Sequence, residues 1–147
     1  MTYNLKDLIP HREPFLHINR IISLTENDCV TEKDIDPKDP IFKGHFPDNP
    51  VYPGVLSLEA MGQASGCLLS HMLGDKTHFL FASSTGNRFF QPILPNVGTL
   101  TVKATLKKKR GLFYWFTCSV SQGDQVFTSC EICLVLAKKH ESLSHSL

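Results

Sequence analysis

His45 and Glu59 are the residues of this sequence best suited to moving protons. His45 lies in the stretch Gly44-His45-Phe46-Pro47, and Glu59 follows 14 residues later inside a run of apolar residues. A carboxylate in an apolar helix is costly to ionise unless it has a partner or a task. Burial raises its pKa, so it can hold a proton at neutral pH and deliver it as a general acid. Histidine titrates closest to neutrality of all side chains and is the natural base. Val55, Glu59 and Gln63 are spaced by four and share a helix face. Gln63 can therefore hydrogen-bond Glu59, or a water between Glu59 and a substrate. Gly54 and Val55 sit where that helix begins. Their N–H groups are among the unpaired donors of a first turn, where the helix dipole adds positive potential. A thioester carbonyl seated on them would be polarised and its enolate stabilised. Glycine at 54 permits close approach of a ligand to the backbone. Each residue alone also has a structural reading: a loop histidine is usually solvated, and a buried glutamate is as readily ion-paired as catalytic. Their concentration between Phe42 and Gln63 is what points to acid–base chemistry.

These residues need a loop and a helix to hold them. The segment from Pro37 to Pro53 contains Pro37, Pro40, Gly44, Pro47, Pro50 and Pro53, which predicts neither regular helix nor central strand. Pro53 is suited to open a helix. The run VLSLEAMGQASGCLLSHML continues it to about Leu73, with Gly74 as its stop. The run is apolar almost all round, which predicts burial on most faces. Its small residues Gly62, Ala64, Ser65 and Gly66 let a neighbour approach the backbone. Residues 3–9 fit a short helical turn. Strands are expected over 15–25, 28–36, 78–84, 86–91, 97–109, 112–121 and 125–137, separated by turn signals such as Arg110-Gly111 and Gln122-Gly123-Asp124. One apolar helix and several long antiparallel strands pack best with the sheet curled around the helix. That is an α+β, hot-dog-like architecture, expected as one domain over residues 1–137 with a polar tail over 138–147. An exposed edge strand would favour pairing with a second copy.

With 147 residues and a net charge of +1, the chain fits one domain and shows no global basic or acidic excess pointing to nucleic acid. No run of about 18 apolar residues predicts a membrane span, and the N-terminus lacks a signal-peptide pattern, so a cytoplasmic protein is expected. The five cysteines are an odd number, against a disulfide framework. Cys130 and Cys133 form an isolated C-x-x-C in a strand-like run, and no metal site is expected there or among the histidines. The run Lys107-Lys108-Lys109-Arg110 reads as a solvated hairpin end or as a dock for an acidic partner, with Arg88 and Lys43 as weaker candidates. Phe79, Phe81, Phe89 and Phe90 fit either an acyl tunnel or core packing.

The central window closely resembles the FabZ-type 3-hydroxyacyl-acyl-carrier-protein dehydratases. The matching words are Gly44-His45-Phe46-Pro47, Pro50-Val51, Pro53-Gly54-Val55-Leu56, and Glu59-Ala60-Met61 with Gln63. Leu8-Ile9-Pro10-His11-Arg12, Pro14-Phe15-Leu16, Arg20, Arg88-Phe89, Pro92 and Pro95 agree as well. The resemblance implies a hot-dog fold, no cofactor, and dehydration of a 3-hydroxyacyl thioester on an acyl carrier protein to the trans-2-enoyl thioester. His45 would take the proton next to the carbonyl, Glu59 would protonate the departing hydroxyl, and the Gly54 N–H would hold the thioester oxygen. It also implies active sites shared between subunits of a homodimer or a trimer of dimers. The chain departs from the family's pattern at Asn19, Tyr52 and Asp48-Asn49, none of which is a catalytic group. The related FabA-type enzymes, which also isomerise the double bond, carry Asp at the acid position, so Glu59 favours dehydration alone. A hot-dog thioesterase and a non-catalytic acyl-binding module are the competing readings. Release of free thiol would mark the first, and tight carrier binding without turnover the second.

Overall fold

A computed structural model describes residues 2–137; the polar tail expected over 138–147 lies outside the described residues. A 3-10 turn, Leu5–Asp7, stands where a helical turn is expected and is capped by the Asn4 side chain, which accepts from the Lys6 N–H. Strands β1 (Arg20–Leu24) and β2 (Asp28–Asp34) follow. Next come a one-turn helix α1 (Ile41–Gly44), the long helix α2 (Gly54–Leu73), and strands β3 (Phe79–Phe89), β4 (Thr99–Arg110), β5 (Phe113–Gln122) and β6 (Gln125–Leu136). All six strands belong to one antiparallel sheet in the order β1-β2-β4-β5-β6-β3.

The sheet curls around α2, which packs against β2, β3, β4, β5 and β6. This is the expected hot-dog arrangement, and its cause is visible in the burial. From Ala60 to Ser70 every residue of α2 is buried, so the helix needs cover on all sides. The strands supply it by alternation: Leu100, Val102 and Ala104 of β4 and Tyr114, Phe116, Cys118 and Val120 of β5 point at the helix. Both helix limits follow the local signals. Pro53 is the extended residue before the first turn, and Gly74 closes the last with φ 74°, its N–H donating to the His71 carbonyl. Two glycines of α2 admit β3. The rings of Phe81 and Phe79 occupy the space that a Cβ on Gly62 and Gly66, respectively, would fill.

The structure corrects three local expectations. Strands 78–84 and 86–91 are one strand, β3. The break expected between them, at Thr85, is instead a bulge, with Gly86 at φ 59° and a register shift between Thr85 and Arg88. The strand expected from residue 15 starts only at Arg20, because Phe15 and His17 bond to the Gln63 side chain instead of a strand. The proline-rich segment does contain one helical turn, α1, with Pro40 at its N-terminal cap, where proline's missing donor does no harm. The Cys130-x-x-Cys133 thiols are both buried: the Cys130 Sγ lies 3.7 Å from the Met61 Sδ on the helix side, and all five cysteines are free.

Candidate active site

His45 is placed by the turn that ends α1. Its N–H donates to the Ile41 carbonyl, and its carbonyl accepts from the Val51 N–H at 2.8 Å. The side chain is held the same way: Nδ1 lies 2.8 Å from the Val51 carbonyl. A carbonyl only accepts, so Nδ1 must carry a hydrogen, and in the neutral ring Nε2 is then the bare, basic nitrogen. His45 lines a cavity of about 510 Å³ together with Gly54, Val55 and a largely apolar wall that includes Phe89, Phe90 and Phe127.

Gly54 and Val55 form the first turn of α2. Among the described residues, their N–H groups donate to no protein acceptor; the bonds of this turn begin at Leu56 and Ser57, both to the Pro53 carbonyl. Two unpaired donors at the positive end of a 20-residue helix therefore stand in the cavity wall beside His45. A Cβ at 54 would lie 2.7 Å from Phe89 Cε1 and push that ring aside. Val55 is 70% exposed.

Glu59 does not line that cavity. It shares a face with the cavity-lining Val55 but stands one turn, about 6 Å, further along the axis. The Val55, Glu59 and Gln63 stripe sinks progressively into the protein, from exposed Val55 to fully buried Gln63. The Glu59 side chain is 17% exposed, and burial pushes its pKa up, opposed by the hydrogen bond from Gln63. Gln63 meets the sequence expectation. Its Nε2 donates to Glu59 Oε2 at 2.9 Å and to the Phe15 carbonyl at 2.9 Å, and its Oε1 accepts from the His17 N–H at 2.8 Å. One residue was not foreseen: His11 Nε2 stands 3.5 Å from the same Glu59 Oε2. Only the fold brings these two positions together; the one sequence signal was that His11 belongs to the N-terminal matching block.

The aromatic candidates divide. Phe89 and Phe90 line the His45 cavity, while Phe79 and Phe81 cover the α2 glycines. The basic run divides too, because a register shift between Leu106 and Lys108 breaks its alternation. Lys107 pairs with Glu131 at 2.9 Å, Lys108 lies over the Trp115 ring and Lys109 over the Tyr114 ring. Arg110 borders an apolar hollow with Leu112, Phe113 and Trp115. Arg88 lines a separate, more polar hollow with Lys107.

Comparison with known proteins agrees with this fold. The FabA-like domain family matches residues 9–131. The chain is 38% identical over 135 residues to the 3-hydroxyacyl-[acyl-carrier-protein] dehydratase FabZ of Histophilus somni, covering 90% of this chain and 87% of that one. It is 40% identical over 112 residues to the FabZ of Vibrio campbellii, covering 74% and 75%. Among solved structures, the dehydratase heterocomplex ApeI:P of Xenorhabdus doucetiae superposes with a TM-score of 0.79 at 15% identity, over 99% of this chain and 98% of that one.

Proposed function

The chain belongs to the FabA-like family, and on that premise we propose that it dehydrates 3-hydroxyacyl-[acyl-carrier-protein] thioesters, with His45 as base and Glu59 as acid. The reading rests on one observation above all: a histidine with its tautomer set by the Val51 carbonyl shares a cavity with two unpaired N–H donors of a helix N-terminus. The thioester carbonyl accepts from the Gly54 and Val55 N–H groups. That acidifies the neighbouring C–H and stabilises the enolate oxygen as it forms. His45 Nε2 takes the proton from this carbon. Protonated Glu59 gives its proton to the departing hydroxyl, water leaves, and the trans-2-enoyl thioester remains. One proton is taken and one given, so the enzyme ends with His45 protonated and Glu59 ionised, and resets by proton exchange with solvent.

Because Glu59 is not among the residues that line the His45 cavity, the complete site takes Glu59 from a second copy of the chain. The unpaired edge of β3 is where that copy adds its strand. A homodimer, or a trimer of such dimers, is the working unit. It acts in the cytoplasm, where the carrier delivers the acyl chain. Lys108, Lys109 and Arg110 beside Leu112 and Phe113 suit an acidic carrier protein.

The deciding experiment follows enoyl absorbance from 3-hydroxybutyryl and 3-hydroxydecanoyl thioesters, on carrier and on small thiol. His45→Ala and Glu59→Ala should each lower turnover on the order of 100- to 10,000-fold. Refolding the two inactive variants together should restore activity, since a mixed dimer holds one intact site. Release of free thiol without enoyl product would overturn the dehydratase reading. Failure of the mixture alone would overturn the shared site.

A further inference from the structure

We infer that His11 is a positioning residue for the acid: with Gln63 it pins Glu59 Oε2 as the accepting oxygen and leaves the transferable proton on Oε1. The inference rests on the assignment of Glu59 as general acid. Oε2 accepts from Gln63 Nε2 at 2.9 Å, and His11 Nε2 stands 3.5 Å from the same oxygen, at the outer limit of hydrogen-bond reach. Oε1 has no hydrogen-bond partner among the described residues, and it is not sealed from solvent. A carboxylic acid carries its proton on one oxygen only. The oxygen that accepts from Gln63 and faces the His11 nitrogen stays bare, so the proton sits on the open one.

The donor role requires His11 to be neutral with its hydrogen on Nε2. Burial holds its pKa down first, followed by the charges of His17 and Arg12. A neutral ring donates to Glu59 without the full positive charge that would strip the acid of its proton. Of the groups facing His11, Arg12 and His17 belong to its own segment, Glu59 to α2, and the uncharged Phe79 ring to β3. His17 in turn faces Lys33, Glu13 and Asp39.

The segment carrying His11 is built to stay in place, which a chance contact would not require. Arg12 donates through Nη1 to the Ile9 and His11 carbonyls, at 2.9 and 2.7 Å, and through Nη2 to the Lys6 carbonyl at 3.1 Å. The Ser70 hydroxyl of α2 donates to the Leu8 carbonyl at 2.6 Å. Fully buried Ile9 anchors the turn in the core, and the His11 ring packs between Phe15 and Phe79. Gln63 grips the far end of the segment at Phe15 and His17. Two elements distant in sequence thus converge on one carboxylate oxygen.

The test compares His11→Ala, His11→Gln and His11→Asn with the parent by kcat, KM and the pH profile of kcat, with Glu59→Gln as control. A glutamine can place its Nε2 hydrogen where the histidine Nε2 stands; asparagine is too short. His11→Ala should lower kcat about 10-fold, the scale of one hydrogen bond lost from the transition state, with KM held within about twofold. The high-pH limb of its profile should move upward, because a donor to the ionised carboxylate is gone. Glutamine should restore most of kcat and asparagine should not. If the alanine variant does not fold, the glutamine and asparagine variants decide between themselves. His11→Ala within twofold of the parent in kcat, or glutamine no better than asparagine, would overturn the inference. Full turnover by Glu59→Gln would instead sink the assignment of the acid on which it rests.

Discussion

Replacing Gln63 by methionine removes three hydrogen bonds at nearly constant volume, and the structure sets the size of the effect. The side chain is fully buried, so water does not take its place. The His17 N–H, which it satisfies at 2.8 Å, belongs to a buried residue. Leaving that donor unpaired costs about 1–3 kcal/mol. The Phe15 carbonyl belongs to a half-exposed residue and recovers a water, so its loss adds little. Glu59 loses a donor 2.9 Å away, a loss of about 1 kcal/mol. Methionine fills the space with little strain. The net destabilisation is about 2–4 kcal/mol, which for a chain of this length lowers Tm by roughly 6–12 °C. Calorimetry at fixed protein concentration measures it, since an oligomer's Tm depends on concentration. Catalysis should suffer as well: kcat falls, and its high-pH limb moves up as the carboxylate loses a donor. Combined with His11→Ala the losses should be less than additive, because both residues hold the same oxygen. A methionine variant that melts within about 2 °C of the parent would refute the reasoning that Gln63 ties α2 to the 15–17 segment.

Gly66→Ala should destabilise the fold although alanine is the better helix former. The new Cβ occupies the space of the Phe79 ring, and overpacking of about 1–3 kcal/mol outweighs a propensity gain of about 1 kcal/mol. Urea unfolding with an unchanged m-value reports it, and a variant more stable than the parent contradicts it. Glu59→Gln should change how stability depends on pH. Burial raises the folded pKa of Glu59 above its unfolded value, so its contribution is fully present below the unfolded pKa and is lost as pH rises through the folded one. Parent stability relative to the glutamine variant should therefore fall across that window and then level off. A difference that is flat or grows with pH, read from unfolding free energies between pH 4 and about 9, would show that burial does not govern this carboxylate.

The sequence by itself determined the features that depend on near neighbours. Pro53 and Gly74 bound α2 because their backbone preferences act where they stand. The alternation of β4 and β5 marks their inner faces because strand geometry imposes a period of two. The spacing of Glu59 and Gln63 puts them in contact because one helical turn does so wherever the helix lies. Other features rest on positions far apart in the chain, and the tertiary structure alone decided them. Residues 78–84 and 86–91 read as two strands, yet pairing with β6 carries β3 straight through both with a bulge. The basic run reads as one patch, yet a register shift sends Lys107, Lys108 and Lys109 to three different partners. His45 and Glu59 stand close in the sequence, yet within one copy Glu59 is not among the residues that line the His45 cavity. His11 has no motif pointing to Glu59. It arrives there because Arg12 and Ser70 fold its segment against the helix, a convergence that no local propensity encodes.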